Sequence, residues 1–266
     1  MKARVAKAPV EKQTATKAAD KIATAKKTAG KTAASKKTAG KRTAANNGRN
    51  PLAPERIAAL LERLQQAYPG AECALHHSNA WELMVATILS AQCTDARVNI
   101  VTPGLFKKFP TPTDFAHAPL VEIEEQIRST GFYHNKAKSL SGAARRLTTE
   151  YGGAVPQTMD ELLTLPGVAR KTANVVLGVA FGKAVGVVVD THVLRLSLRL
   201  ELTRETQPVP VEKDLMKVIP QDHWIAFSHE MIHHGRQICI ARKPRCADCT
   251  LEALCYSRDK TWTSHA

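Results

Sequence analysis

From Pro54 onward, apolar residues recur three and four apart in one segment after another, and this spacing restricts the 266-residue chain to helix packing more than any other feature does. "PERIAALLERLQQAY" sets Pro54 at a helix start and brings Ile57, Leu60, Leu61 and Leu64 onto one face. "NAWELMVATILSAQ" opens on Asn79, a capping side chain, and is apolar on most faces, which predicts a buried helix. In "TDARVNIV", Thr94 is a cap and Asp95 a first-turn acid, and Pro103 is expected to end or kink that helix. Further helices are expected at about 119–129, 134–150, 158–164, 168–181, 191–200, 211–218 and 222–238. Only "AVGVVVD" at 184–190 is β-branched enough to read as a strand, and no second strand pattern exists to pair with it. It is expected to be a buried extended connection leading to Asp190. The fold class is all-α.

Charge divides the chain. Lys and Arg number 38 against 24 Asp and Glu, a balance of +14. Residues 1–50 hold 14 of those bases against Glu11 and Asp20, for +12, which leaves +2 for residues 51–266. This segment repeats "KKTAGK", is built of Ala, Lys and Thr, and has too little apolar surface to offset the entropy of ordering, so a disordered basic tail is expected. Such a polycation follows phosphate backbones and loses affinity as salt rises. A solubilising leader or an organelle transit peptide is the alternative, although the tail has 11 Lys against three Arg and no amphipathic period. No long apolar run supports membrane insertion or secretion, and a reducing compartment is expected.

Under reducing conditions the cysteines are metal ligands rather than disulfide partners. Cys239, Cys246, Cys249 and Cys255 form C-x6-C-x2-C-x5-C, and four soft thiolates suit an iron-sulfur cluster or zinc, between which spacing does not choose. Arg242, Lys243 and Arg245 make the loop between the first two cysteines a candidate phosphate contact.

Two more constellations carry chemistry. A helix from about Met159, the turn "LPGV" and a helix from about Ala169 form a helix-turn-helix unit in which Gly167 supplies the turn, and the second helix start offers unpaired N–H groups to a phosphate. Lys171 lies in that first turn. There the helix dipole disfavours an ammonium, and partial desolvation would make a neutral amine available as a nucleophile. Arg170 beside it is the candidate for simple charge. In "VDTHVLR", Asp190 is placed as an N-cap that is also able to move protons or stabilise a positive sugar-like transition state, with His192 two residues on.

These motifs, in this order, resemble the endonuclease III family of helix-hairpin-helix DNA glycosylases. The resemblance covers residues 54–258 and includes "LSAQCTD", "GFYHNKA", "LPGVARKTANVVL", "VDTHV", "HGRQIC" and the four cysteines. It implies two helical modules, one at 73–183 with the hairpin and one made of 51–72 plus 184–258, followed by a short C-terminal tail at 259–266. It also implies a 4Fe-4S cluster on Cys239, Cys246, Cys249 and Cys255, and double-stranded DNA carrying damaged bases or abasic sites as partner. By resemblance Lys171 is the Schiff-base nucleophile and Asp190 its assisting carboxylate. Gln92 fills the space left by the flipped nucleotide, and Phe132 stands where the family uses an apolar wedge. Gly167, Ala169, Arg170 and His192 are expected at the DNA, together with Arg242, Lys243 and Arg245.

The implied activity is removal of oxidised pyrimidines followed by β-elimination, in a monomeric protein of the bacterial cytoplasm associated with the nucleoid. Two alternatives stand beside it: a monofunctional adenine glycosylase of the same superfamily, which typically lacks the hairpin lysine, and a non-catalytic, metal-braced DNA-binding protein. One departure concerns Ala169, which replaces a second hairpin glycine and keeps phosphate binding unless that position needs positive φ. Cys93, in the variable position of "SAQCTD", is expected to be a small buried filler.

Overall fold

α1 spans Pro54–Ala67 and buries Ile57, Leu60, Leu61 and Leu64 along one stripe. The computed structural model describes residues 49–263, so residues 1–48 of the basic tail lie outside it. α2, Ala80–Leu89, begins where the Asn79 side chain accepts the Glu82 N–H, and eight of its ten residues are buried. α3 is Asp95–Lys108, capped by Thr94. It does not end at Pro103 but runs through it to Lys108, because a proline removes only one backbone bond while Val98 and Leu105 are held fully buried on either side.

The chain then makes a helix that periodicity did not disclose. α4, Pro112–His117, is six residues long and is set by a reciprocal capping box between Thr111 and Asp114. α5, Leu120–Ile127, passes through a 3-10 turn at Arg128–Thr130 into α6, Tyr133–Glu150. α7 (Met159–Leu163) and α8 (Arg170–Val175) flank the "LPGV" turn, and α8 continues as a π-helical turn over Val176–Ala180. The chain ends with α9 (Thr191–Arg199), α10 (Pro208–Val218), α11 (Trp224–Gln237) and the cysteine segment.

Two hydrophobic cores result. The first draws on residues between Leu75 and Leu177 and holds Met84, Leu105, Phe115, Leu140 and Leu147 out of water. The second joins α1 to α9, α10 and α11, with Leu64, Val193, Leu215, Phe227 and Met231 at its centre. "AVGVVVD" crosses between them without forming a strand. Val187 and Val189 are buried in the second core, and the Val188 N–H donates to Ser228 Oγ at 3.1 Å. A hydroxyl on α11 thus takes the backbone bond that a neighbouring strand would have taken.

Candidate active site and metal centre

A cleft of about 760 Å³ is lined by residues of both cores. Lys171, Asp190, Gln92 and His192 all face it, so four residues separated by up to 100 positions in sequence meet in one space. Lys171 is exposed to this cleft rather than desolvated. Asp190 caps α9: its Oδ1 accepts the N–H groups of His192 and Val193, both at 2.8 Å. Its cap role is therefore real and fixes the carboxylate at the cleft wall. Burial lowers the His192 pKa despite the nearby Asp190 carboxylate, and Arg195 Nη2 lies 3.2 Å from His192 Nδ1. The imidazole is therefore neutral at neutral pH. Cys93 lines the same cleft, half-buried at the margin of the first core.

The hairpin that presents Lys171 depends on one glycine turn. Gly167 has φ +79°, and a Cβ there would stand 2.6 Å from the Ser139 Cβ on α6, so both the backbone angle and the close approach require glycine. Ala169 has φ −93° and ψ 169°, ordinary extended geometry that alanine adopts without strain. The missing second glycine is thereby accommodated. Arg170 does not stand free: its Nε and Nη2 meet the Glu212 carboxylate at 2.7 and 3.0 Å, and Asn174 Nδ2 donates to the same carboxylate at 2.8 Å. Glu212 is buried on α10, so this cluster ties the helix carrying Lys171 to the second core. A Cβ on Gly186 would collide with that carboxylate.

Gln92 and Phe132 occupy two separate loop tips, both in the left-handed region with φ 53° and 49°. Phe132 leaves 63% of its surface exposed. Across the cleft mouth Arg236 of α11 pairs with Asp95 at the start of α3, at 2.6 Å.

Cys239, Cys246, Cys249 and Cys255 line one small cavity beside the second core. Three of the four sulfurs have a potential nitrogen donor: Arg199 Nη1 at 3.2 Å from Cys239 Sγ, the Thr261 N–H at 3.4 Å from Cys246 Sγ, and His234 Nε2 at 3.4 Å from Cys249 Sγ. Burial pushes the Cys249 thiol up to about 12 and raises Cys255, so these sulfurs become thiolates only in the presence of a strong positive partner. Arg242, Lys243 and Arg245 are exposed on the intervening loop, away from the cleft lining, with Lys243 at φ 53° and Arg245 paired to Asp248 at 3.2 Å.

Sequence reading missed several residues that organise these sites. Arg199 also donates to the carbonyls of Ile240 and Ala241, and Arg195 to those of Gly235 and Cys239. The four-residue spacing of these arginines on α9 was the available signal, since it puts both on one helical face. His234 lay within the quoted "HGRQIC". Glu212, Asp95 and Arg236 carried no local signal for their partners.

Comparison with known proteins places this architecture. The model of the HhH-GPD superfamily of base excision DNA repair proteins matches residues 85–221. Endonuclease III of Synechocystis sp. is 57% identical over 203 residues, covering 76% of this chain and 93% of that protein. The chain belongs to the endonuclease III family. Endonuclease III of Bacillus subtilis is 47% identical over 207 residues, with 77% of this chain and 94% of the relative covered. Among solved structures, a non-covalent endonuclease III–DNA complex matches with a TM-score of 0.73 at 46% identity, covering 76% of this chain and 95% of its own. A trapped endonuclease III–DNA covalent intermediate matches with the same TM-score at 47% identity and the same coverage.

Proposed function

We propose that the protein is a bifunctional base excision repair enzyme, a DNA glycosylase that removes oxidised pyrimidines from duplex DNA and a lyase that nicks the strand at the resulting abasic site. The observation that carries this reading is the convergence of Lys171 and Asp190 on one cleft, with Gln92 at its wall. A relative caught as a covalent DNA intermediate supports it.

In this reading Lys171 Nζ gives up a proton and attacks the sugar C1′. The bond from C1′ to the base breaks, and the base leaves with that electron pair and takes up a proton. Opening of the sugar ring gives a Schiff base, loss of a C2′ proton feeds electrons toward the iminium, and the 3′ phosphate is expelled. Water then releases Lys171. Asp190 uses Oδ1 on the helix N–H groups, which leaves Oδ2 to take the amine proton or to face the positive sugar. A neutral His192 adds no cation beside that centre.

Phe132 and Gln92 enter the stack as the damaged nucleotide leaves it, a displacement that costs a few kcal/mol. Gly167 and Ala169 present backbone N–H groups to the phosphates, and Arg242, Lys243 and Arg245 add positive charge along the strand. Arg170 serves the hairpin through Glu212. The first core and its hairpin act as one module and the second core as the other, with DNA across the cleft between them.

Cys239, Cys246, Cys249 and Cys255 would hold a 4Fe-4S cluster. The fit rests on four thiols about one cavity with donors aimed at three of them. When bound, such a cluster cross-links the segment through four thiolates and holds the basic loop in shape. The protein works as a monomer in the bacterial cytoplasm, on the nucleoid, with its basic tail adding non-specific grip.

The test is borohydride trapping on a duplex with a single thymine glycol, and on one with an abasic site. The wild-type protein gives a covalent adduct on both and Lys171→Ala gives none. An adduct that survives in Lys171→Ala removes this lysine from the mechanism, and no adduct from the wild type moves the reading to a monofunctional or purely binding protein.

A further inference from the structure

The two loop tips that bear Gln92 and Phe132 are joined by one side chain. Lys136 lies in the first turns of α6 and is 6% exposed, a rare state for lysine. Its Nζ donates to the Leu89 carbonyl at 2.9 Å and to the Thr130 carbonyl at 2.8 Å. Leu89 is the last residue of α2, three before Gln92, and its carbonyl is one of those a helix end leaves without an intrahelical partner. Thr130 ends the 3-10 turn two residues before Phe132, and its own hydroxyl donates to Ile127 at 2.8 Å. One ammonium therefore closes both segments, three residues before the left-handed Gln92 and two before the left-handed Phe132.

That placement is costly. Two neutral carbonyls replace the water around a buried ammonium, and burial lowers its pKa. Non-glycine residues hold φ near +50° only when the surrounding structure over-determines them. Gln92 and Phe132 are exposed at their tips, so the constraint comes from the backbone behind them, where Lys136 sits.

We propose that Lys136 is a positioning residue that fixes the separation of the Gln92 and Phe132 loops, so that both side chains enter the helix stack as one unit when the damaged nucleotide is displaced. The proposal rests on the reading that these two residues fill and wedge the duplex. It adds that their action is coupled, through a group that never touches DNA.

The experiment is a double-mutant comparison on cluster-loaded full-length protein. A duplex carries one thymine glycol with 2-aminopurine beside the opposing base, and stopped-flow fluorescence reports the rate of unstacking. Lys136→Met is expected to slow that phase roughly tenfold, and Gln92→Ala with Phe132→Ala to slow it at least as much. Adding Lys136→Met to that pair changes the rate by less than about twofold, because the coupled side chains are already gone. Lys136→Arg, which keeps a charged donor, recovers part of the wild-type rate and stands in if the Met variant does not fold. Equal slowing by Lys136→Met or Lys136→Arg in both backgrounds, or no slowing in the wild-type background, overturns the proposal. A wild-type rate in the Gln92→Ala, Phe132→Ala variant instead removes the insertion reading itself.

Discussion

Arg170 Nε lies 2.7 Å from Glu212 Oε2, and Asn174 Nδ2 lies 2.8 Å from the other oxygen of the same carboxylate. The pair joins the helix that carries Lys171 to a helix of the other core, so Lys171 is held by both halves of the described structure. Arg170 keeps 36% of its side-chain surface in water while Glu212 keeps 4%, and the interaction is worth less than a fully buried pair for that reason. Glu212→Ala is expected to lower unfolding stability by about 2 kcal/mol, chiefly by stranding the Asn174 amide and half of a guanidinium. Urea titration reads the loss. In the same variant kcat/KM should fall by more than KM rises, since a looser hairpin misplaces Lys171 at the sugar.

Gly167→Ala is expected to be worse for a different reason. It asks an L residue to hold φ +79° and drives a Cβ to 2.6 Å from Ser139 Cβ. Strain and overpacking together come to about 2–4 kcal/mol. Ser139→Gly removes only the collision, so the double variant should recover roughly half of the lost stability, measured by thermal unfolding. Full recovery would show that the backbone angle itself is not demanding.

The residues that sequence exposed are those whose role is local. Asp190 reads as a cap and Gly167 as a turn because each signal lies within a few positions, and the closely spaced cysteines meet about one cavity. Glu212 meets Arg170 42 positions away, and Lys136 reaches Leu89 47 positions back as well as nearby Thr130; neither distant partner is announced locally. Arg170 reads as simple charge from sequence because its partner Glu212 lies 42 residues on. α4 escaped notice because six residues are too few to show a period, although the Thr111 to Asp114 spacing carried its cap. Pro103 was overweighted because local geometry alone does not weigh burial on either side.

Acid should loosen the cleft. Burial lowers the pKa of His229 and of His192 below the ordinary histidine value, and both line the cleft. Below about pH 6.5 the unfolded chain binds protons that the folded protein refuses, so this contribution is complete above that pH and is lost as pH falls through and below it. The melting temperature should therefore drop between pH 7.5 and 5.5. His229→Gln should flatten that drop, and an unaltered slope would place the acid sensitivity elsewhere.

Gln92 and Phe132 put stability and function in opposition. Each holds a left-handed backbone that glycine adopts freely, at φ 53° and 49°. Gln92→Gly relieves strain while adding chain entropy to the unfolded state, and the balance is expected to leave stability unchanged or raised by about 0.5 kcal/mol. Phe132→Gly should behave similarly, since a ring that is 63% exposed contributes little burial. Activity on a damaged duplex should fall at least tenfold in each, because the side chain that fills the stack is gone. Activity on a single-stranded abasic substrate, which has no stack to fill, should stay within about threefold of wild type. Parallel assays on the two substrates, with chemical denaturation alongside, separate this outcome from general damage to the fold. A variant that loses both activities equally would mean that these tips hold the catalytic cleft itself rather than the duplex.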